Sequence, residues 1–317
     1  MKRSLLVVMT ATVLCGTASG RAEGEPVRQD APPPDAVPER LAAFQRDVDS
    51  TPPSSYELFR AAGPDCPENV VRQTHRDYPG LKRYDEAFDK VMAEVQSTSV
   101  TGAPAVWLVY NMGVVVKTPK AVFAIDLAHR KGLLAEPLLD FALVTHNHDD
   151  HVDEALLATM DRHRKTVVSN FMCNYGAHKR GTTPGGYSRG ERTLQIADAT
   201  IRVTPSDHND YLREFTSAFE ISVGDWTLYH TGDSSTLSKL APARTPDLWV
   251  VHPRCGLDVA DAVRAFHPRR TAICHLCELG HPPKEWRWST TDGLEDAARA
   301  AEAGTDAFVP LWGERIA

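Results

Sequence analysis

The stretch Thr145-His146-Asn147-His148-Asp149-Asp150-His151 is the part of the sequence that decides the fold. An apolar run from Leu138 to Val144 precedes it. An amphipathic helix is predicted directly after it, because apolar residues recur there at helical spacing, at Val152, Leu156, Leu157 and Met160. We therefore expect this cluster at the end of a strand, in the turn that leads into a helix, where α/β folds place their chemistry.

The stretch carries more metal-binding side chains than one ion needs. On an extended segment His146 and His148 point to the same side. Asp150 and His151 follow one turn later and can face the same space from the start of the helix. Since a catalytic zinc ion usually takes three protein ligands, we predict two adjacent ions. The first two histidines bind one of them, and Asp150 and His151 bind the other.

The His-x-His-x-Asp-His pattern resembles that of the metallo-β-lactamase superfamily of metal hydrolases, over roughly residues 100 to 317. The resemblance implies three further ligands in order: a histidine, a bridging aspartate on a Gly-Asp turn, and a last histidine after a strand. It also implies that Asp126 steadies the metal loop, the stretch from Thr145 to His151, without binding metal. The full ligand set that the resemblance implies is His146, His148, Asp150, His151, His208, Asp233 and His275.

The fold expected from this resemblance is α/β, a four-layer αββα sandwich with an N-terminal helical extension. Apolar runs from Val106 onward read as strands mixed with helices, and Asn111-Met112-Gly113 predicts the turn of a hairpin. We divide the chain into a signal peptide (1–22), a Pro-rich linker with a helical extension (23–99), and a hydrolase domain (100–317).

The first 22 residues have the features of a secretory signal. Lys2 and Arg3 precede an apolar core from Leu5 to Leu14, and small residues follow it. The core is too short to span a bilayer. Cys15 raises the alternative of a lipoprotein, but Leu14 before it does not suit lipidation. We predict cleavage and export to the periplasm or the medium, without stable membrane insertion.

The charge of the chain argues against nucleic acid as a partner. The formal charge is −7, and removing residues 1–22 takes away three cations and no acid, which leaves −10. An acidic protein lacks the broad basic face that binds phosphate backbones. We therefore expect a small-molecule substrate. The sequence leaves the oligomeric state open.

The cysteines give little support for a redox function. Five remain after the signal, so at least one thiol is unpaired. Cys274 and Cys277 form a C-x-x-C, but Glu278-Leu279-Gly280-His281-Pro282-Pro283 follows where a thioredoxin-like motif would begin a helix. Ordinary buried cysteines are the favoured interpretation.

The expected cofactor is a pair of divalent ions, with zinc favoured and iron or manganese as alternatives. Two such ions about 3.5–4 Å apart hold a hydroxide between them and lower its pKa toward neutrality. No Ser or Cys nucleophile is then needed. Asp150 is the predicted catalytic residue, because it can bind the second ion and orient the hydroxide or carry a proton. Asp149, Asp153 and Asp207 are candidates to fix the imidazole tautomers.

Asp233 narrows the predicted function. The β-lactamases with this first motif lack a bridging Asp, so the resemblance favours the phosphodiesterases, lactonases and thioesterases of the superfamily. We expect an exported dinuclear hydrolase that acts on a phosphodiester, lactone or other ester. The alternatives are a non-catalytic metal-bound binding protein of the same fold and an iron-dependent redox enzyme, since His and carboxylate also suit iron.

Several other residues have competing interpretations. His252 and His281 compete with His275 as the last ligand, and His275 is preferred because an apolar strand precedes it. His230 is either structural or faces the substrate. Tyr211 and Arg213, just past the third ligand, are candidate substrate contacts.

Overall fold

The computed structural model describes residues 36–169, 190–208 and 212–317, so the predicted signal peptide and proline run lie outside the described residues. The α-helices are α1 (Ala36–Asp49), α2 (Pro53–Ala61), α3 (Glu68–Asp77), α4 (Pro79–Ser97), α5 (Glu154–Arg162), α6 (Val259–Phe266) and α7 (Thr290–Glu302). The strands are β1 (Ala105–Tyr110), β2 (Gly113–Lys117), β3 (Val122–Ile125), β4 (Phe141–Leu143), β5 (Thr166–Val168), β6 (Arg192–Ile196), β7 (Ala199–His208), β8 (Leu212–Val223), β9 (Trp226–His230), β10 (Leu248–Val251), β11 (Arg270–Ile273) and β12 (Asp306–Phe308).

The first sheet has the strand order β1-β2-β3-β4-β5. Its strands β1 and β2 form the predicted hairpin, with Val106 opposite Val116. Strands β3, β4 and β5 run parallel, and the chain returns between β4 and β5 through α5. Helices α4 and α5 pack on this sheet. The metal-binding stretch therefore begins at the carboxyl end of β4, as predicted.

The second sheet has the strand order β12-β11-β10-β9-β8-β7-β6. Strands β6 to β9 form an antiparallel meander, and β9 to β12 run parallel. Helix α7 packs on β11 and β12, and α6 packs on α7. Two sheets with helices on them confirm the predicted α/β class. Helix α7 begins one turn before the predicted Leu294, because Ser289 and Asp292 form a capping box there.

Hydrogen bonds join the two sheets near the strand ends that carry the polar cluster. The backbone N–H of Ser217, in β8, donates to the carbonyl of Thr145 at 2.8 Å. His230 Nε2, at the end of β9, lies 3.0 Å from the carbonyl oxygen of Met112 in the hairpin turn. Both histidine and serine are buried. The first bond ties β8 to the residue that follows β4, and the second ties the end of β9 to the hairpin turn.

The helical extension, α1 to α4, is packed on the strands and on later loops. The Arg130 guanidinium donates from Nε to Asp85 Oδ1 at 2.6 Å and from Nη2 to Asp85 Oδ2. The His129 ring stacks between Tyr84 and Phe88, with centroid distances of 3.8 and 4.6 Å. Burial lowers the pKa of His129 to about 3, so the ring is neutral. A buried ion pair and a buried ring stack make this extension part of the packed core.

The described residues from Pro38 to Ala317 belong to one compact unit. The predicted domain boundary near residue 99 lies in the connection between α4 and β1 and stays a prediction. Within the described ranges, the helices are all too short or too polar to cross a bilayer.

The C-x-x-C cysteines are buried free thiols, in line with the favoured interpretation. Cys274 and Cys277 are both buried. Burial raises the pKa of each thiol well above its usual range. Cys173 lies outside the described residues. The thiols are therefore poor nucleophiles, and no disulfide links them.

Candidate metal centre

The seven predicted ligands come together from four strand ends. The loop after β4 supplies four of them, from His146 to His151. The end of β7 supplies His208, the turn after β9 supplies Asp233, and the segment directly after β11 supplies His275. Their ligand atoms form two groups, and within each group all atoms lie within 4.8 Å of one another. The groups are His146, His148, His208 and Asp233 in one, and Asp150, His151 and His275 in the other.

Asp233 lies between the two groups. Its Oδ2 is 3.8 Å from His146 Nε2 and 3.9 Å from His208 Nε2, both in the first group. The same oxygen is 3.4 Å from His275 Nε2, and Oδ1 is 3.4 Å from His151 Nε2, both in the second group. Oδ1 is buried and has no hydrogen-bond partner in the described part of the chain. This position suits a carboxylate that contacts two ions.

Asp150 completes the second group and is held in place by the hairpin turn. Its Oδ2 lies 3.0 Å from His275 Nε2 and 3.3 Å from His151 Nε2. Asn111 donates to the same oxygen from Nδ2 at 2.7 Å. Burial alone would raise the pKa of Asp150, but His151 and His275 hold it well below its usual range. Asp150 is therefore ionised and available as a ligand.

A hydrogen-bond network behind the cluster sets the tautomers of two histidines. Asp126 accepts from the backbone N–H of Thr145 at 2.7 Å, from Thr145 Oγ1 at 2.6 Å, and from His151 Nδ1 at 2.9 Å. Because the Thr145 hydroxyl donates to Asp126, its oxygen accepts from His146 Nδ1 at 3.0 Å. Both rings therefore carry their proton on Nδ1. Asp126 thus steadies the loop, as the sequence resemblance implied.

Whether a metal fits this site can be judged from the Nε2 atoms of His146 and His151. The Nε2 atoms of His146 and His151 are buried and lack a hydrogen-bond partner among the residues described. Each faces Asp233. An unpartnered buried imidazole nitrogen costs free energy, and a cation beside the carboxylate would remove that cost. The residues present therefore fit a metal centre.

The pKa values divide the histidines into two sets. Burial lowers the pKa of His146, His148 and His208, which leaves their rings neutral with a lone pair to give. Burial would also lower the pKa of His275, but Asp233 and Asp150 outweigh it and raise the value to about 10. The same two carboxylates raise the pKa of His151 well above its usual range. In the second group, the two carboxylates thus favour a positive charge beside them.

The turn that carries Asp233 is fitted closely to the metal loop. Gly232 has a φ of 51°, and a Cβ added there would lie 2.7 Å from Thr145 Oγ1. A larger residue would therefore displace the hydroxyl that orients His146. The backbone N–H of Gly232 donates to His230 Nδ1 at 3.3 Å, and burial lowers the pKa of that ring. His230 is thus structural, which settles the choice left open by the sequence.

The two competitors for the last ligand position differ in their surroundings. The ring of His252 stacks on that of His275, with a centroid distance of 4.0 Å. It is buried, and it forms a third group of ligand atoms with Asp233 and His275. His281 is half exposed, and its Nε2 lies 3.6 Å from Glu278 Oε2. His252 is thus close enough to compete, and the preference for His275 stays a prediction.

The three acids proposed from the sequence to fix tautomers have other contacts. Asp153 caps α5 by accepting from the backbone N–H of Leu156 at 2.9 Å. Asp207 lies 3.2 Å from Lys239 Nζ. Asp149 is exposed, and its carbonyl accepts from Arg60 Nη2. For the two histidines with assigned tautomers, Asp126 and Thr145 fix the rings instead.

A cavity of 1370 Å³ opens over the cluster. The metal-loop side is lined by His148 and Asp150, and the helical extension contributes Tyr56 and Arg60. Residues of the segment after His275 line the rest, among them Glu278, His281, Trp286 and Trp288. Tyr211 and the side chain of Arg213 lie outside the described residues. The cavity is large enough for a substrate of drug-like size.

Three cavity or site residues were missed in the sequence. Asn111 carried only a turn signal, although a polar residue at a hairpin tip is also free to contact a neighbouring loop. Glu278 was noted only as the residue after the C-x-x-C. Arg60 lies in a helical pattern that gives no sign of what the helix packs against. Each acts through contacts between distant parts of the chain.

Comparison with known proteins gives metal-dependent hydrolases as relatives in sequence and metallo-β-lactamase fold proteins among the structural neighbours. No family model matches the chain. It is 31% identical over 141 residues to a UPF0173 metal-dependent hydrolase of Carboxydothermus hydrogenoformans, covering 40% of this chain and 61% of that protein, less than two thirds of its length. It is 27% identical over 177 residues to a UPF0173 metal-dependent hydrolase of Caldivirga maquilingensis, covering 51% of this chain and 75% of that one.

Solved structures show the same fold at low sequence identity. Igni18, a metallo hydrolase from Ignicoccus hospitalis, matches this chain with a TM-score of 0.53 at 17% identity. The match covers 67% of this chain and 97% of Igni18. YhfI, a metallo-β-lactamase fold protein from Bacillus subtilis, has a TM-score of 0.51 at 14% identity and covers 67% and 98%. These neighbours confirm the predicted sandwich fold.

Proposed function

We propose that this chain is a dinuclear metal-dependent hydrolase of the metallo-β-lactamase superfamily, a proposal supported by its curated relatives and by its fold. The observation that carries the proposal is the pair of ligand groups joined by one carboxylate. Asp233 lies 3.8 Å from His146 Nε2 in one group and 3.4 Å from His151 Nε2 in the other. A single-ion site would not need two complete sets of donors.

The proposed ions are zinc, with iron or manganese as the alternatives. The first ion would be held by His146, His148 and His208, the second by Asp150, His151 and His275, and Asp233 would contact both. Such ions polarise a carbonyl or phosphoryl oxygen and lower the pKa of water to near neutrality. Imidazole and carboxylate donors suit all three of these metals.

The chain itself would position the substrate and the reacting water. Asp150 is fixed by Asn111 at 2.7 Å, so its carboxylate has one orientation in which to accept a hydrogen bond from water. The cavity above it has walls from the extension and from the segment after His275. Fixed groups around an enclosed volume hold water and electrophile in reacting geometry. Asp150 is therefore the proposed catalytic residue of the metal loop.

Cys255 is a thiol in the cavity wall, and its environment argues against covalent catalysis by it. Burial raises the pKa of Cys255 well above its usual range. Its Sγ lies 3.1 Å from the carbonyl of His252 and 3.3 Å from that of Ser234. A protonated thiol bonded to carbonyls is a weak nucleophile. We therefore propose attack by water on a phosphodiester, lactone or other ester of a small molecule.

Metal analysis combined with a substrate panel tests this function. The purified chain is loaded separately with zinc, manganese and iron, and assayed on phosphodiester, lactone, ester and thioester substrates. We expect about two ions per chain and hydrolysis of at least one class. Asp233→Asn should lose an ion and most of the activity. A stoichiometry near zero in excess metal, or no hydrolysis in any loaded form, would contradict the proposal.

A substitution outside the ligand groups serves as the control for the loss of metal and activity in Asp233→Asn. His267 is an exposed histidine that ends α6 with a φ of 51°. Asparagine accepts this left-handed conformation, so His267→Asn removes an imidazole without straining the backbone. This variant should keep both ions and full activity.

We also propose export of the mature chain, on the sequence features of residues 1–22. Amino-terminal sequencing of the protein from its natural host should give a first residue near Arg21 or Glu23. An intact Met1, or a lipid on Cys15, would contradict export by cleavage.

A further inference from the structure

Glu278 is a buried carboxyl group in the wall of the cavity, outside the two ligand groups. Only 2% of the residue is exposed, yet it lines the same cavity as Asp150 and Asp233. Its Oε1 accepts from the backbone N–H of Gly280 at 2.7 Å and from the Tyr110 hydroxyl at 3.4 Å. Its Oε2 is buried and has no hydrogen-bond partner within the described ranges. One oxygen is thus bonded to the protein, and the other is left for a ligand.

The segment that carries Glu278 is anchored so that the carboxyl group keeps its place. Arg287 donates from Nε to the carbonyl of Glu278 at 3.0 Å and from Nη2 to that of Leu279 at 2.8 Å. Its Nη1 reaches the carbonyls of Val48 and Thr51 in the extension, at 3.1 and 3.0 Å. These four bonds from the buried guanidinium all go to backbone oxygens, so Arg287 ties the segment to the extension.

The glycine beside Glu278 is part of the same arrangement. A Cβ added to Gly280 would lie 2.6 Å from Glu278 Oε1. The absence of a side chain lets the carboxyl group fold back onto the backbone N–H. This contact fixes which oxygen points away from the segment.

Glu278 is better placed to hold a proton than the carboxylates of the metal groups. Asp150 Oδ2 is already surrounded by Asn111, His151 and His275. Burial and the nearby charge of Asp150 raise the pKa of Glu278. His281 Nε2, on a half-exposed ring, lies 3.6 Å from the free oxygen and provides a contact toward solvent.

We propose that Glu278 is a further catalytic residue, which protonates the leaving group of the substrate, and this role rests on the hydrolase function proposed above. Water adds its oxygen to the carbonyl carbon or phosphorus. The bond from that atom to the leaving oxygen breaks, and its electron pair goes to the leaving oxygen, which takes the proton of Glu278. The proton released by the water returns to the Glu278 carboxylate through solvent and His281. The sum is one water consumed and one ester bond cleaved.

The dependence on the leaving group tests the proposal. A general acid matters when the leaving group is a strong base and matters little when it is a weak one. Metal-loaded wild type and Glu278→Gln are assayed on para-nitrophenyl butyrate against ethyl butyrate, and on bis-para-nitrophenyl phosphate against diphenyl phosphate. Glutamine keeps the acceptor oxygen for Gly280 but has no acidic proton. We expect kcat to fall about 100-fold or more on the poorer leaving group and to change little on para-nitrophenolate.

Glu285→Gln is the matched control, because Glu285 is exposed on the same segment and the chemical change is the same. It should leave both rates unchanged. Metal content and Tm are measured for all three proteins, and Glu278→Gln should keep its metals and its fold.

Two outcomes separate this proposal from the function on which it rests. If wild type is active and Glu278→Gln loses the same factor on both members of a pair, or loses metal, Glu278 is not the acid and the hydrolase function stands. If metal-loaded wild type cleaves none of the four substrates, the acid role is overturned, and the hydrolase proposal falls with it only if the lactone and thioester substrates of the wider panel are not cleaved either.

Discussion

The carboxylate of Asp126 lies 2.9 Å from His151 Nδ1, and both side chains are fully buried. Through this contact, a residue that directly follows β3 sets the tautomer of a predicted ligand 25 positions later in the chain. The same carboxylate holds the backbone N–H and the hydroxyl of Thr145. One side chain therefore fixes both the path of the metal loop and the direction in which the His151 lone pair points.

We expect Asp126→Asn to lower metal affinity by about 10- to 100-fold, the usual cost of losing a partner behind a ligand. The carboxylate accepts from the Thr145 backbone N–H on Oδ1 and from the Thr145 hydroxyl and His151 Nδ1 on Oδ2. An amide has one acceptor oxygen and places an NH₂ group at the other position, so it cannot accept all three bonds. Competition with a coloured chelator measures the affinity. Thr145→Ser keeps the hydroxyl and should stay near wild type. Unchanged affinity in Asp126→Asn would show that the network does not support metal binding.

Asp150→Asn should leave the fold intact and lower activity by orders of magnitude. The side chain keeps its size, and the partly buried contact with Asn111 can be kept through the amide oxygen. The charge is lost, and with it good ligation of the second ion and acceptance of a proton. Steady-state rates on a verified substrate, with circular dichroism and metal content, measure the effect. Full activity in this variant would rule out the dinuclear mechanism.

The ligand assignment is tested by comparing three histidine substitutions. His275→Ala should lose the second ion, because Nε2 of His275 lies within 3.4 Å of both Asp150 and Asp233. His281→Ala should keep two ions, since its ring is half exposed and contacts Glu278. His252→Ala should also keep two, at reduced affinity, because it loses a ring stacked on the ligand. If His275→Ala keeps both ions while His252→Ala or His281→Ala loses one, the assignment is wrong.

The sequence was informative wherever the determinants are local. Four donors between His146 and His151 can be read from their spacing, and the resemblance to a known family then implied the remaining three. The hairpin turn at Asn111 was readable in the same way, from residues adjacent in the chain. In each case a few neighbouring residues are enough, because strand alternation and helical periodicity relate sequence spacing to direction in space.

The sequence did not predict contacts between residues that are far apart in the chain. Glu278 and Tyr110 are 168 positions apart, and Arg130 and Asp85 are 45 apart. Amphipathic patterns predicted the helices of the extension, but a pattern shows only that a face is apolar, not what it covers. The choice between His252 and His275 depends on how β10 and β11 end side by side, which is a property of the sheet.

The Asp85–Arg130 pair should make the stability of the chain depend on pH in the acid range. Burial alone would raise the pKa of Asp85, but its hydrogen bonds and charge contact with Arg130 outweigh this and lower it. The folded pKa is thus below the unfolded value of about 3.9. The pair stabilises the fold above that value, and its contribution is lost as the pH falls through the folded pKa.

Asp85→Asn should therefore cost about 3–5 kcal/mol of unfolding free energy at neutral pH, since it leaves a buried guanidinium unpaired. Urea denaturation measures this, and the gap from wild type should narrow in acid. Asp89→Asn is the control, because Asp89 is a largely exposed partner of Lys131 and exposed pairs contribute about 1 kcal/mol or less. Equal losses of unfolding free energy in Asp85→Asn and Asp89→Asn would contradict the conclusion that the Asp85–Arg130 pair holds the extension in place.

Arg60 connects the extension to the metal loop, and its loss should weaken metal binding without unfolding the chain. From α2 its Nη2 donates to the carbonyl of Val152 at 3.2 Å and to that of Asp149, on either side of Asp150 and His151. Arg60→Met keeps much of the side-chain length but removes both bonds. We expect a loss of about 10-fold in metal affinity, at the low end of the range for residues that support ligands, with a small change in Tm. Arg72→Met, at an exposed pair with Glu68 on α3, is the control and should bind metal like wild type. If Arg60→Met and Arg72→Met bind metal equally well, the extension packs against the metal loop without supporting it.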